Sequence, residues 1–310
     1  MTATGTTDQA AQTRSIRGER PVPFEDVMAA VGRWMVATEA LAAAGAELAL
    51  AGPQDGGDPD VTAAVREVSA AAGLPPLGEL APPQRETIGA LIRMCLRQAQ
   101  DLVDDPGRPP GWTFTHPDIL AGWGRGSAMI PGLLAAAAPQ FAEVRSFLDV
   151  GTGVGLLAIA AARTWPAATV TGIDIWEPAL EMAAGNIKAA GLTDRVTIQR
   201  ADVTRIDEAG SYDCAWFPTF FVSEPVLDAA VPRLVRALRP GGWLVLGRMD
   251  PPPDPVAQAA SALRTIRGGG ADFAAPRLVS ALEAAGCADA GALPRRGPAP
   301  MEFIAGQRPR

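Results

Sequence analysis

Apolar positions along this chain follow two regimes. From residue 24 to about 140 they recur at three- and four-residue steps, the period of a helix. From Val144 onward, short apolar runs alternate with helical stretches. In the first regime Phe24, Val27, Met28, Val31, Trp34, Met35, Leu41 and Leu48 mark an amphipathic helix, or two in succession. A Gly/Pro/Asp loop is expected from Ala51 to Pro59, followed by a shorter helix on Val61, Val65 and Val68 that Pro75 and Pro76 break. Pro82 and Pro83 suit the start of another helix, with Ile88, Ile92, Cys95, Ala99 and Leu102 on one face. Asp104 to Pro110 reads as a linker. Thr115 can then cap a helix whose first turn holds Pro117, with Asp118 at its third position. That helix runs past Trp123, Arg125, Ser127 and Met129 until Pro131 disturbs it.

In the second regime, Arg145 to Val150, Ala168 to Ile173, Val196 to Arg200 and Tyr212 to Phe217 read as strands. Trp243 to Arg248 is a fifth, beginning after the turn Arg239-Pro-Gly-Gly242, and Met301 to Ala305 is a closing strand. Helices are expected at Leu156 to Thr164, Pro178 to Ala190, Pro225 to Leu238, Val256 to Ile266 and Pro276 to Ala285. Strands separated by helices imply right-handed parallel crossovers and a doubly wound α/β sheet covered on both faces. The organisation that follows is a polar, disordered leader over residues 1–22, a helical cap over 23–140 and a sheet domain over 141–310.

Composition narrows the function. With 310 residues and 48% hydrophobic content, the chain can bury one large core or two smaller ones. The net charge is −7, the arginines are scattered and Lys188 is the only lysine, which argues against a nucleic-acid partner, since phosphate contacts need a basic face. Cys95, Cys214 and Cys287 lack metal spacing and read as reduced, mostly buried thiols. One histidine and no clustered carboxylates give a metal-dependent catechol mechanism little support and leave an all-oxygen Mg²⁺ site as the alternative. The N-terminus lacks the apolar core of a signal peptide and no apolar run reaches membrane-spanning length, so a cytoplasmic protein without a membrane partner is expected.

The most informative segment is Asp149-Val-Gly151-Thr152-Gly153-Val-Gly155, at the end of the first strand. Its glycines allow a tight turn and close backbone approach to a ligand. A dinucleotide fingerprint would place its third glycine at position 156, where Leu156 stands, and the Lys-Ser/Thr of a phosphate-binding loop is missing. Asp149 just before the loop would repel a pyrophosphate but attract the ammonium of an amino acid. Asp174 closes the second strand, placed to accept from both hydroxyls of a ribose, with Ile175 and Trp176 apolar enough to face an adenine. Asp202, followed by Val203 after the third strand, can accept from an adenine amine or, as a loop Asp, cap a helix. Three acids at carboxyl ends of strands describe an adenosine bearing an amino acid, which is S-adenosylmethionine.

With these residues in view, positions 141 to 310 resemble the class I S-adenosylmethionine-dependent methyltransferases. The resemblance rests on Leu148-Asp-Val-Gly-Thr-Gly-Val-Gly155, Gly172-Ile-Asp-Ile175, Ala201-Asp202, Tyr212-Asp-Cys-Ala-Trp-Phe217 and Leu238-Arg-Pro-Gly-Gly-Trp-Leu244. It implies a seven-stranded, mostly parallel sheet whose final strand is antiparallel, with the strand-four segment at Phe217 beside the methionine part of the cofactor. It implies S-adenosylhomocysteine as product. It does not fix the acceptor.

Further candidates are less specific. His116 titrates in the range of a general base but sits where a helix starts. Arg125 could pair with the cofactor carboxylate or be a surface arginine. Asp250, after the fifth strand, could touch substrate or begin a stiff Asp-Pro-Pro-Pro loop. Trp112, Phe114, Trp123, Phe217, Phe220 and Phe221 concentrate near the expected opening of the site, and two or three should line an apolar pocket. Phe217-Pro-Thr-Phe220 is not the Asn/Asp-Pro-Pro-aromatic motif of amino-directed nucleic-acid methyltransferases. The expected activity is methyl transfer to an O or N atom of a small, partly apolar metabolite, with a homodimer through the N-terminal helices as one arrangement. The alternatives are a lyase or cyclase on the same fold, or a non-catalytic partner subunit.

Overall fold

The computed structural model describes residues 23–51, 57–250, 252–294 and 301–310. The expected leader at 1–22, the middle of the Ala51–Pro59 loop and the first proline after Asp250 lie outside the described residues. The chain divides into two compact units, Met1–Gly78 and Glu79–Arg310. Residues 79–140, expected with the cap, are therefore grouped with the sheet.

In the first unit a single helix α1 (Phe24–Leu50) is followed by α2 (Pro59–Ala71). Asp58 caps α2 by accepting from the Asp60 and Val61 N–H groups (2.9 and 3.1 Å). Buried Glu47 accepts from the Leu77 N–H (3.0 Å). The first half of α1 is solvent-exposed, with Phe24 73% and Trp34 63% accessible. By length and composition α1 is apolar enough to cross a membrane, contrary to the expectation from apolar runs. Its many alanines raise the mean hydropathy while breaking up the runs of large side chains.

The second unit begins with α3 (Pro82–Asp104), α4 (Pro117–Ser127) and α5 (Ile130–Ala137). The packed face of α3 is Gly89, Ala90 and Ile92, while Cys95 is exposed, so only Cys214 of the three thiols is fully buried. A Cβ on Gly122 of α4 would stand 2.7 Å from Met94, so the two helices approach through that glycine. Two ion pairs cross the same seam, Arg93 to Asp118 (3.2 Å) and Arg125 to Glu86 (3.2 Å). The break between α4 and α5 falls before Pro131, which sits in the first turn of α5, where its missing N–H is harmless.

Then β1 (Ser146–Val150), α6 (Leu156–Thr164), β2 (Thr169–Asp174), α7 (Glu177–Ala189), β3 (Val196–Arg200), β4 (Tyr212–Pro218), α8 (Glu224–Ala237), β5 (Leu238–Met249), α9 (Pro255–Arg267), α10 (Ala275–Ala284), β6 (Ala288–Ala292) and β7 (Met301–Gln307) complete the chain. The sheet order is β3-β2-β1-β4-β5-β7-β6, parallel from β3 to β5, with β7 antiparallel to both β5 and β6. Alternation along the strands divides the core in two. Phe147, Val170, Trp216 and Val245 pack with α5 and α6, whereas Leu148, Ile173, Phe217, Leu244 and Leu246 pack with α8 and α10. This is the class I methyltransferase fold.

Two elements differ from the sequence reading. The turn Arg239–Gly242 is absorbed into β5 as a register shift between Tyr212 and Cys214 of β4, with Gly241 at φ +83°. The strand β6 has no apolar alternation, since Ala288-Asp-Ala-Gly-Ala292 lacks large or β-branched side chains. It pairs only because β7 offers it an edge.

Candidate active site

The strand order reverses between β1 and β4, and open α/β sheets hold ligands in the crevice at such a switch point. The loop from β1 to α6 lies there. Gly151, Gly153 and Gly155 have φ of +70°, +54° and +76°, conformations that side chains resist. The Gly151 and Thr152 N–H groups donate to the Ile173 carbonyl (2.8 and 3.0 Å), which folds the loop back over the end of β2. The loop leads directly into α6 through Gly155 at its N-cap, which no side chain caps, and the N-terminal end of a helix favours an anion.

Asp149 is 1% exposed and accepts from the Thr152 hydroxyl (2.7 Å). Burial pushes its carboxyl up to about 7, against the pull of the Thr152 hydrogen bond, and nearby Asp174 adds to the rise. Asp174 accepts from the Gly153 N–H (2.8 Å) with one oxygen and the Trp176 N–H (2.9 Å) with the other. Burial raises its carboxyl as well, with those backbone bonds opposing. The two carboxylates and the loop thus form one connected unit with no compensating cation paired to it among the described residues. Asp202 behaves differently. It caps a short 3-10 turn, accepting from the Thr204 N–H (2.9 Å) and hydroxyl (2.7 Å), with Arg205 3.6 Å away. Desolvation pushes its carboxyl up, but Thr204, Arg205 and Arg233 together bring it below the usual value.

An open cleft of about 630 Å³ lies at the ends of β2 and β3, lined by Ile175, Ala201 and Asp202 together with Arg200, Arg205 and Ile206. Ile175 is 64% exposed at its rim. Trp176 turns away: its Nε1 donates to the Phe114 carbonyl (3.0 Å) and its ring packs with Leu120 and Val154. Val203 begins the short turn and packs partly into the core under α8. Phe217 is 1% exposed in that same core, below the crevice. The strand-four residue that comes up to the loop is Pro218, whose Cγ would lie 3.5 Å from a Cβ on Gly151. Sequence reasoning missed Pro218 because it follows the last residue of the apolar run.

The remaining candidates spread out. His116, not Thr115, caps α4: its Nδ1 accepts from the Asp118 N–H (3.2 Å). Proline at the next position fixes the helix start one residue later than expected. An imidazole whose Nδ1 accepts carries its proton on Nε2 when neutral, leaving no free lone pair on the ring in this arrangement. Arg125 pairs with Glu86 across the α3/α4 seam. Asp250 is half-buried just past β5, at the carboxyl end of the sheet.

The donor set fits S-adenosylmethionine. The buried Asp149 and half-buried Asp174, with no cation paired to either among the described residues, suit an ammonium and a ribose, the helix end suits a carboxylate, and the cleft at Ile175 and Ala201 has room for an adenine.

Comparison with known proteins agrees. Residues 147–242 match the model of a methyltransferase domain. The chain is 34% identical over 127 residues to methyltransferase GfsG of Streptomyces halstedii, covering 39% of this chain and 45% of that protein. It is 37% identical over 136 residues to nocamycin O-methyltransferase of Saccharothrix syringae, covering 43% and 48%. The matches thus span about half the length of these curated relatives. Among solved structures, an O-methyltransferase family protein from Burkholderia thailandensis aligns with a TM-score of 0.66 at 17% identity, over 94% of this chain and 99% of that one. That likeness establishes the fold.

Proposed function

We propose, from a methyltransferase domain of the class I fold over residues 147–242, that this protein is an S-adenosylmethionine-dependent methyltransferase acting on an O or N atom of a small, partly apolar metabolite. The observation that carries this is the linked pair Asp149 and Asp174 around the loop of three left-handed glycines. The likeness to nocamycin O-methyltransferase supports a small-molecule acceptor and an oxygen nucleophile.

The cofactor, when bound, supplies a sulfonium-activated methyl group that an oxygen or nitrogen nucleophile takes, leaving a neutral thioether. The chain's residues bind and orient. Asp149 would hold the amino-acid ammonium, Asp174 would accept from the ribose hydroxyls while holding the Gly153 N–H, and Ile175 would pack against the adenine. Thr152 fixes the Asp149 carboxylate, and the aromatic residues near Trp112 exclude water from the reacting atoms. Alignment and desolvation carry the rate, and His116 acts as a helix cap rather than as a base.

The cytoplasm is the compartment we assign, and the homodimer through α1 the assembly. The dimer reading draws on the exposed Phe24, Met28, Trp34, Met35 and Val36, and sets aside nucleic-acid and membrane partners. Calorimetry with S-adenosylhomocysteine tests the cofactor reading, and methyl-labelled S-adenosylmethionine tests the reaction. Label appearing in a small phenol, enol or amine is expected. Tight cofactor binding with label never leaving it, over a broad acceptor panel, would turn the reading toward a lyase or cyclase.

A further inference from the structure

The aromatic residues of this chain are few, 5% of the sequence, yet five of them meet in one place. Trp112 lies edge-on to Phe114, Trp123 and Phe221, with centroids 5.3, 6.2 and 5.0 Å apart. Trp123 also stacks on Phe220 at 6.2 Å. Three chain segments hold this wall together. The Gly111 N–H donates to the Arg267 carbonyl (3.0 Å), tying the linker before α4 to the end of α9. The Ala271 N–H donates to the Val222 carbonyl (3.0 Å), tying the turn after α9 to the segment of Phe220 and Phe221. Trp112 packs against the cluster of Leu120 and Val154, the latter a residue of the glycine loop. The wall therefore adjoins the cofactor crevice.

The same wall holds buried hydrogen-bond donors without partners. Among the described residues of the second unit, the buried side-chain polar atoms lacking a hydrogen bond are Trp123 Nε1 and Arg108 Nε and Nη2. A buried donor left unpaired is costly, so such donors gathered at one place ask for an acceptor from outside the chain. Arg108 stands over the Phe114 ring, 4.9 Å from its centroid, with Nη1 committed to the Gly111 carbonyl and Thr113 hydroxyl (2.9 and 2.6 Å). Charge points the same way. Arg108 and Arg267, each 11% exposed, share a single carboxylate, Asp101, at 3.6 and 2.7 Å. One positive charge remains over, in a chain whose net charge is −7.

We propose that this wall is the acceptor subsite, and that the acceptor is a flat conjugated molecule carrying an anionic oxygen group such as a carboxylate or enolate. The rings hold its plane. The Trp123 indole N–H donates to one of its oxygens, and Arg108, whose Nη2 already faces Asp101 at 3.6 Å, supplies the charge through Nε. The assignment rests on the methyltransferase reading above, because it places the anion beside the glycine loop that would hold the methyl donor.

The test is calorimetry on the full chain loaded with S-adenosylhomocysteine, using 1-hydroxy-2-naphthoate and 1-naphthol as probes. Wild type is expected to bind the naphthoate at least 10-fold more tightly than the naphthol. Arg108→Gln should abolish that preference, and Trp123→Phe, which keeps a ring but removes the donor, should weaken the naphthoate about 10-fold. S-adenosylhomocysteine affinity should be unchanged in both variants, which also reports that they fold. Equal binding of the two probes by wild type overturns the proposal without recourse to any variant. So does a Trp123→Phe protein that binds the naphthoate as wild type does and melts higher, because the indole N–H is then only a buried defect. Failure of wild type to bind S-adenosylhomocysteine would instead remove the methyltransferase reading on which the subsite depends.

Discussion

At the scale of single residues, the molecule places function and stability in opposition at Asp149. Its carboxyl is raised from 3.8 to about 7 by burial, so the folded protein holds a proton that the unfolded chain has released across that window. A group of that kind makes the fold less stable as pH rises from near 3.8 through about 7, because the native state binds the extra proton. Asp149→Asn is expected to remove this slope, melting above wild type on the alkaline side of the window and level with it on the acid side, while losing cofactor affinity. Thermal melts across pH read the first effect and calorimetry the second; a variant with an unaltered slope would place the titration elsewhere. Asp174→Ala should weaken the cofactor by ~10-fold or more, since a hydrogen bond to a charged group is worth about 1.5–3 kcal/mol. Because Asp174 also holds the Gly153 N–H (2.8 Å), Asp174→Asn, which keeps an acceptor there, should fall between wild type and alanine. His116→Ala should cost about 1 kcal/mol of stability, the usual worth of an N-cap, while the pH profile of turnover keeps its shape. A flattened profile would restore the base role to the imidazole.

At the scale of elements, close packing sets the limits. Gly247 of β5 lies against Trp216 of β4, where an added Cβ would stand 2.0 Å from the indole. Gly247→Val should therefore destabilise the protein by about 3 kcal/mol, the upper range for overpacking, as read in urea unfolding. A smaller loss would mean that Trp216 can swing aside, although it is 2% exposed among Phe147, Val245 and Phe303. The glycine loop is limited by conformation instead. A Cβ on Gly153 would meet only the Gly151 carbonyl at 3.9 Å, so Gly153→Val would act through its φ of +54° and through the space the ligand needs. Loss of cofactor binding with a retained fold is the expected result.

At the scale of the whole molecule, α1 is the element without an evident reason to stay in water alone. Its exposed Trp34 and Met35 are the kind of apolar face that a second copy covers. Sedimentation equilibrium should give twice the 32.1 kDa chain mass, falling to that mass in a Trp34→Ser, Met35→Ser variant. A wild-type monomer that floats with lipid vesicles would show instead that the hydropathy of α1 serves a membrane.

Much of the fold was legible in the chain because its signals are local. The strand–helix alternation after Val144 follows from period-two and period-3.6 burial, and the loop at Gly151–Gly155 follows from the few residues that accept positive φ. The acids Asp149 and Asp174 could be read as strand-end groups for the same reason, since each follows an apolar run, and Asp202 because it comes just after the third strand. Tertiary structure decided the rest. It placed Phe217 in the core and Pro218 at the loop, because the facing of a strand's last residues depends on which helices cover each side. It made β6 a strand through its neighbour β7, and it sent Arg125 to Glu86. It also gathered Arg108, Trp123 and Phe220 from three distant segments around unpaired donors. Such a cluster leaves no periodic trace in sequence, because its members share no local spacing and meet only when the chain is packed.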